Sequence, residues 1–438
     1  MTSTALVTCA ARPSNVRRAQ MSEGSTDKRP LGTLSLLALG INGIVGVGIF
    51  FAPSELAAQA PGWTSVAVIA ATGLCLAPVA LAVSTLGSRF EEDGGPVLYA
   101  RLAFGEGAGF IVGWLAYVAA LFSMGTVMSG FTVHVLPDGT HPWLVRAVAV
   151  GLLTTLTIIA SRGVKVSARV WNTLTVLKLV PLVALAGLAT YIGAKLVPAS
   201  LGSGHTDWPR AMLKATFIFQ GFEIVPVLAG QARSSRRAIP VAVLGSLAIA
   251  TVIYLLLQRG AVTGVPELAK AGAPLVATAE AYGGSSFGRF VAIGTSVSAL
   301  GIAFGMVATT PTFLAALAPK SRFGMRSSGN VPLLALWVTW AVVSVLVCIG
   351  SLGELLTLSS LSVVMQYLLV AMALVKFGFQ RKRDLTPWSA WSAIPTILVA
   401  LVLLSGAESR EWIAAGGCLA FGAVVYAFWK RRKPAPAP

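Results

Sequence analysis

The sequence predicts an all-α integral membrane protein of twelve transmembrane helices, with the first and sixth unwound midway through the bilayer. Three observations predict it: a deficit of charge, long uncharged apolar runs in series, and two glycine-broken segments in matching halves of the chain. Of 438 residues, 55% are hydrophobic and only 11% charged, against about 25% charged in a soluble domain. Mean hydropathy is +0.79. Too few polar groups remain to cover a water-facing surface. Runs such as 66–83 and 238–257 hold no charge at all. About 18–20 apolar residues suffice to cross ~30 Å of hydrocarbon as a helix.

Taken in order, such windows place spans at 31–58, 63–87, 107–135, 142–160, 171–194, 211–232, 238–258, 287–316, 331–349, 353–376, 389–405 and 411–429. Residues 1–30 are polar and carry Arg12, Arg17, Arg18, Lys28 and Arg29. They lack the apolar core of a cleaved signal peptide and read as a flexible cytoplasmic arm. The organisation is then a first five-helix repeat over 31–196 and a second, inverted one over 197–378. Helices 11 and 12 follow over 379–430, with a cytoplasmic tail at 431–438.

The formal charge is +17. In a soluble chain that would suggest nucleic acid. Here the basic residues sit between apolar spans, so the excess of Lys and Arg in cytoplasmic loops explains them and nucleic acid is excluded as a partner. With the N-terminus inside, 24 of the 33 basic residues fall on the cytoplasmic side. That bias places both termini there and favours an even number of spans. Cys9, Cys75, Cys348 and Cys418 show no metal or disulfide spacing, and His134, His141 and His205 are scattered. No cofactor and no metal is expected, and no nucleophile–base cluster of an enzyme is visible. The partners expected are a small solute, a proton and membrane lipids, in a monomer or a homodimer.

The first span contains Gly40, Gly43, Gly46 and Gly48 within nine residues. Each glycine weakens a helix by about 1 kcal/mol relative to alanine. The run reads either as a small-residue face for close helix packing or as an unwound stretch whose amides and carbonyls hold a ligand. The sixth span carries Gly221 and Pro226 on either side of Glu223. Proline removes a backbone donor, and an ionisable group at this depth costs at least ~2.5 kcal/mol. Glu223 is either functional or a protonated side chain bonded to nearby backbone. Five crossings separate the two breaks, so the segments run antiparallel, as an inverted repeat of five plus five helices requires. Paired interruptions of this kind mark a transporter's binding site. The half-helix starting at Gly46 to Ile49 offers free N–H groups and a positive dipole end, which suit a carboxylate. Carbonyls freed before each break suit an ammonium. A zwitterionic α-amino acid carries both.

Lys178 is the one basic residue well inside a span, about two turns from its cytoplasmic end. It titrates as a coupling group, replaces a structural cation between helices one, five and eight, or snorkels to the interface.

Four motifs in order resemble the amino acid–polyamine–organocation superfamily. They are Gly43 to Phe50 (GIVGVGIF) followed by Pro53; Ser88 to Pro96 (SRFEEDGGP) with Tyr99 and Ala103 to Gly105; Gly163 to Arg169 (GVKVSAR) with Asn172 and Lys178; and Gly221 to Glu223 with Ala229, Gly230 and Arg236 to Pro240 (RRAIP). Together they cover residues 31 to 378; the last two spans match only as generic helices. The resemblance is nearest to bacterial basic amino-acid/polyamine antiporters and proton-coupled amino-acid transporters. It implies a leucine-transporter type fold with two extra helices, and secondary transport by alternating access in the cytoplasmic membrane. It implies that Gly46, Val47 and Gly48 meet a substrate carboxylate, and that Ile44 and Phe219 offer carbonyls to its ammonium. Phe217 takes the place of an aromatic gate, and Val45, Gln220 and Gly221 complete the substrate-binding set. Glu223 matches an acidic position of the antiporters. Lys178 matches a lysine that other members use in place of sodium, which points to proton coupling. The antiporters lack that lysine, so symport and exchange both stand. Gln231 and Thr312 depart from the family's acidic residue and arginine, which thins the expected cytoplasmic charge network.

Overall fold

The computed structural model describes residues 31–90, 92–137, 139–163, 168–193, 205–232, 234–318, 321–327 and 331–431. The N-terminal arm, the tail beyond 431 and most of the GVKVSAR motif (164–167) lie outside the described residues. So do the side chains of Asn172 and Gln231.

The chain is built from helices. The first span is two of them, α1 (Thr33–Ile44) and α2 (Gly48–Gln59), meeting at a 48° bend. At Val45 the backbone leaves the helix (φ −72°, ψ 78°). The chain then turns at Gly62, whose φ of +62° favours glycine, into α3 (Trp63–Arg89). A short helix, α4 (Gly95–Phe104), starts with Pro96 in its first turn, where proline costs no hydrogen bond. The span windows left this segment as a link. Then come α5 (Glu106–Val135), α6 (Pro142–Ser161) and α7 (Ala168–Gly193).

The sixth span is again broken. Its first half, α8 (Trp208–Phe219), is capped by Asp207, which accepts from the Arg210 N–H at 3.2 Å. After Gln220 and Gly221 the chain continues as a 3-10 helix, Phe222–Gln231, with a 45° bend between the halves. Then follow α9 (Ser235–Gly264), α10 (Pro274–Leu317), α11 (Leu333–Ile349), α12 (Leu352–Phe379), α13 (Pro387–Ser405) and α14 (Ser409–Arg431). Ser351 and Glu354 form a reciprocal capping box at the start of α12. The windows placed the eighth span at 287–316, but α10 begins thirteen residues earlier and kinks at Gly284 (φ +74°). Glu280 had interrupted the apolar window without ending the helix.

Among the described residues, eight helices are long and apolar enough to cross a membrane, and up to ten spans result if each bent pair counts as one. The fifth expected span is α7 (Ala168–Gly193), largely apolar over Leu177–Ile192, and the ninth is α11 (Leu333–Ile349), of 17 residues. The chain is a multi-pass membrane protein.

The bent pairs sit inside the bundle, where α9 packs along α3, α1 and α7, while α12 packs along α5 and α13. On the face where α1 begins (the near face), Leu31 bridges to Ala232. Asp384 there pairs with Arg236 at 2.9 Å and with Arg89 at 3.7 Å, and Arg383 pairs with Glu92. On the opposite, far face, Lys214 of α8 meets Glu55 of α2 at 3.7 Å. One turn earlier, Arg210 bonds Glu408 at 2.9 Å and both carboxylate oxygens of Glu411. It thereby clamps α8 to the turn between α13 and α14. A Cβ on Gly406 of that turn would lie 2.3 Å from the Pro209 carbonyl carbon, so the two backbones touch. A large apolar groove of about 920 Å³ lies between α5, α11, α12 and α14, lined by Trp114, Leu121, Leu346 and Phe421 among others. None of its lining residues belongs to the two breaks.

Candidate functional site

The two breaks cross in direct contact. A Cβ on Gly221 would stand 2.3 Å from the Gly43 carbonyl carbon and 2.4 Å from its oxygen, and one on Gly43 would stand 2.9 Å from the Gly221 oxygen. Gly221 also has φ +125°, which side-chain-bearing residues rarely adopt. Both positions need glycine for the main chains to meet. The glycines of the first span therefore divide between the two readings of the run. Gly40 serves packing, since a Cβ there would lie 2.7 Å from Ser246 Oγ of α9. Gly46 lies in the unwound stretch, where its N–H bonds the Ile44 oxygen at 2.7 Å.

α2 starts at Gly48 after Val47, and no described side chain caps it. The N–H groups of a first helical turn have no partner within their own helix, so this end points donors and the positive end of a dipole into the crossing. Val47, Gly48 and Ile49 are buried there. Phe217 closes over it. A Cβ on Gly48 would be 2.9 Å from the Phe217 ring, and that ring lies 6.1 Å from Phe51 of α2. With the Glu55–Lys214 pair beyond, these two rings seal the crossing toward the far face. On its near side Gly43 and Ile224 are exposed. A small space between Val47, Phe50, Phe51, Gly130, Phe131, Thr295 and Ala299 extends the crossing toward α5 and α10.

The remaining expected residues are placed as follows. Lys178 is 2% exposed, and its Nζ donates to the Asn42 oxygen at 2.9 Å. It does not snorkel; it ties α7 to α1 three residues before the break. Glu223 Oε2 accepts from the Gly221 N–H at 2.9 Å and from the Tyr367 hydroxyl at 3.3 Å. This carboxylate faces its own break and α12. The Gln220 side chain also reaches sideways: its Oε1 accepts from Ser359 at 3.2 Å and its Nε2 donates to Ser360 at 3.4 Å, while Ser359 pairs with Ser123 of α5 at 2.6 Å. Phe219 is fully buried against Tyr254, with ring centroids 5.4 Å apart. Val45 and Ile44 are buried in the core. Thr312, the departure from the family pattern that falls within the described side chains, bonds the Thr309 oxygen at 2.6 Å on its own helix.

Sequence reasoning missed Tyr254, Tyr367, Ser123, Ser359 and Ser360. Tyr254 lay inside a run counted simply as apolar, and Ser359, Ser360 and Tyr367 lay among other polar residues of the tenth span, such as Thr357, Ser362 and Gln366, with nothing to single them out. Among the described residues no group of three or more His, Cys, Asp or Glu could hold a metal.

Chemically, the crossing can bind and orient a small ion with separated charges. A family model described as amino acid permease matches residues 31–409. The chain belongs to the amino acid permease family. Relatives of this permease include an uncharacterized transporter of Mycobacterium tuberculosis, 28% identical over 428 residues and 92% of each chain. A protein of Escherichia coli named for arginine/ornithine antiport is 30% identical over 80% of this chain and 83% of its own. The serine/threonine exchanger SteT of Bacillus subtilis is 23% identical over 81% and 84%. The permease is thus a transporter by family.

Proposed function

We propose that the permease is a proton-linked secondary transporter of amino acids in the cytoplasmic membrane, with both termini in the cytoplasm, working by alternating access. The observation that carries this reading is the contact of the two bent segments at Gly43 and Gly221 beside the uncapped start of α2. The substrate carboxylate sits against the N–H groups of Val47 and Gly48, and of Gly46 once that group leaves the Ile44 oxygen, where the helix dipole favours an anion. Its ammonium takes carbonyls at the breaks, Ile44 among them, by displacing a donor that the Ile44 oxygen holds without cargo, the Gly46 N–H or the Tyr254 hydroxyl. Phe217 lies over this place as a lid, and the near face is the cytoplasmic one.

Lys178 gives the reading its coupling step. Its ammonium holds the Asn42 oxygen, and loss of its proton would weaken this charge-assisted tie between α1 and α7 near the break. Protonation at a buried site linked to a two-position element is a sufficient coupling device. Glu223 Oε2 is engaged by Gly221 and Tyr367, but a carboxylate has further acceptor sites, so neutral and cationic amino acids both fit this reading. The second reading, an exchanger of cationic amino acids or polyamines, draws on the named antiport of the Escherichia coli relative.

The test is uptake by purified permease in proteoliposomes, with each common L-amino acid and an imposed pH gradient. The proposal expects saturable accumulation of at least one amino acid that collapses with the gradient. Uptake only into vesicles preloaded with an amino acid would favour the exchanger, and absence of both would remove the proposal.

A further inference from the structure

We infer that the apolar groove between α5, α11, α12 and α14 seats the acyl chains of an anionic phospholipid, with its phosphate at the near mouth beside Arg322 and Lys430. The inference needs the chain to span a membrane and does not depend on which solute it carries. The groove holds about 920 Å³ among apolar helices, toward the upper end of the ~300–1,000 Å³ of small-molecule sites. α14 lines it from Ala414 to Trp429, a rise of about 22 Å. One monolayer of hydrocarbon is about 15 Å deep, so a chain from the near leaflet lies within the groove over its whole length. The groove exists because α14 leans on one neighbour. Phe110 of α5 lies 5.0 Å from Tyr426 and 5.8 Å from Trp429, and a Cβ on Gly422 would stand 2.4 Å from Trp114. The face of α11 carrying Val338, Val342 and Leu346 is left across the gap.

The walls offer a polar ligand little along that depth. The Tyr117 hydroxyl pairs with Thr339 Oγ1 at 3.0 Å, and Trp114 Nε1 donates to the Cys418 oxygen at 2.8 Å. Water needs several polar partners to stay in such a place, whereas hydrocarbon needs none. The two mouths differ in charge. The far mouth is lined by Glu354, Arg410 and Glu411, one cation to two carboxylates. At the near mouth the rings of Phe323 and Trp429 stand 6.4 Å apart. Arg322 precedes the first and Lys430 follows the second, and both side chains are exposed. Glu106, in the first turn of α5, is the carboxylate on that side, which makes two cations to one anion. None of these three enters an ion pair among the described residues. Basic groups at the mouth of a cleft between spanning helices attract anionic headgroups. A phosphate therefore fits the near mouth and is disfavoured at the far one.

The experiment titrates phosphatidylglycerol, or phosphatidylcholine with the same chains, into purified and delipidated permease. Bound lipid is read by native mass spectrometry and stability by melting temperature. Wild type should take one phosphatidylglycerol per chain about tenfold more tightly than phosphatidylcholine, somewhat less than two basic groups contribute at an open membrane surface. Its melting temperature should rise with that lipid. Gly417→Trp sends an indole into the groove from a position where a Cβ meets nothing within 4 Å, and should abolish this uptake. Gly416→Trp is equally free of neighbours and lies outside the lining, so it should leave uptake intact. Arg322→Gln with Lys430→Gln should bring phosphatidylglycerol down to the level of phosphatidylcholine. Both side chains being exposed, this variant gives an answer even if the indole disturbs folding. Equal binding of the two lipids by wild type, phosphatidylglycerol uptake that survives the indole, or a preference that survives loss of both charges overturns the inference. So does a dimer that Gly417→Trp breaks and headgroup charge does not affect, because a second copy of the chain would then be what covers the groove.

Discussion

Replacing Gly221 with alanine tests the crossing most directly. The added Cβ would sit 2.3 Å from the Gly43 carbonyl carbon, 2.4 Å from its oxygen and 2.7 Å from the Ile44 nitrogen, where ordinary contact begins near 3.4 Å. The neighbours are main-chain atoms, which cannot rotate aside, so the segments must part by about 1 Å, a displacement at a reacting or binding centre that is worth about 100-fold in rate. The φ of +125° adds strain of about 1–3 kcal/mol for a residue with a side chain. Transport by Gly221→Ala should therefore fall about 100-fold in proteoliposomes, with normal membrane insertion and an unchanged elution profile in detergent. Gly187→Ala is the matched control, because a Cβ there meets nothing within 4 Å and alanine is the better helix former. Should Gly221→Ala carry amino acids at the wild-type rate, the contact of the breaks is irrelevant to the cargo and the proposed site is in the wrong place.

Lys178→Ala removes a charge-assisted bond to Asn42, so uptake driven by a pH gradient should drop at least about tenfold; unchanged pH dependence would refute a coupling role. Lys214→Met leaves Glu55, whose side chain is 26% exposed, without its partner. It should destabilise the protein by about 2 kcal/mol after allowance for partial solvation. Adding Glu55→Gln should recover part of that loss, and a strictly additive double mutant would show that the pair does not interact. Arg210→Met should be the more damaging change, by about 3 kcal/mol, because it strands Glu411, whose side chain is only 7% exposed; melting curves in detergent that rank the two variants the other way would contradict the burial argument.

What could be read from the sequence follows from what periodicity and composition encode. The broken first and sixth spans were legible because Gly43, Gly46 and Gly48, and Gly221 with Pro226, are poor helix formers in otherwise strong apolar runs. The multi-pass class was legible because charge is scarce throughout. α4 was not, since ten residues opening with Gly95 and Pro96 and carrying Arg101 cannot pass a test for spans. Nor were the partners of Gln220 and Glu223. Ser123, Ser359, Ser360 and Tyr367 lie 139 to 236 residues from the groups they bond, and only tertiary packing brings them together. Tyr254 is the clearest case. A lone tyrosine in an apolar helix gives no signal of its own, and its hydroxyl meets the Ile44 oxygen at 2.9 Å and the Ile218 oxygen at 3.0 Å where two other helices stop.

The clamp between Arg210 and the turn at Gly406 to Glu411 has a practical corollary. Lifting α8 to admit solute from the far face must either drag that turn along or rip two carboxylates from one guanidinium. The loop is short, lies at the surface and belongs to neither broken span. An antibody fragment raised against Glu408 to Trp412 would then act as a wedge at a distance, arresting the carrier without touching the solute's own pocket.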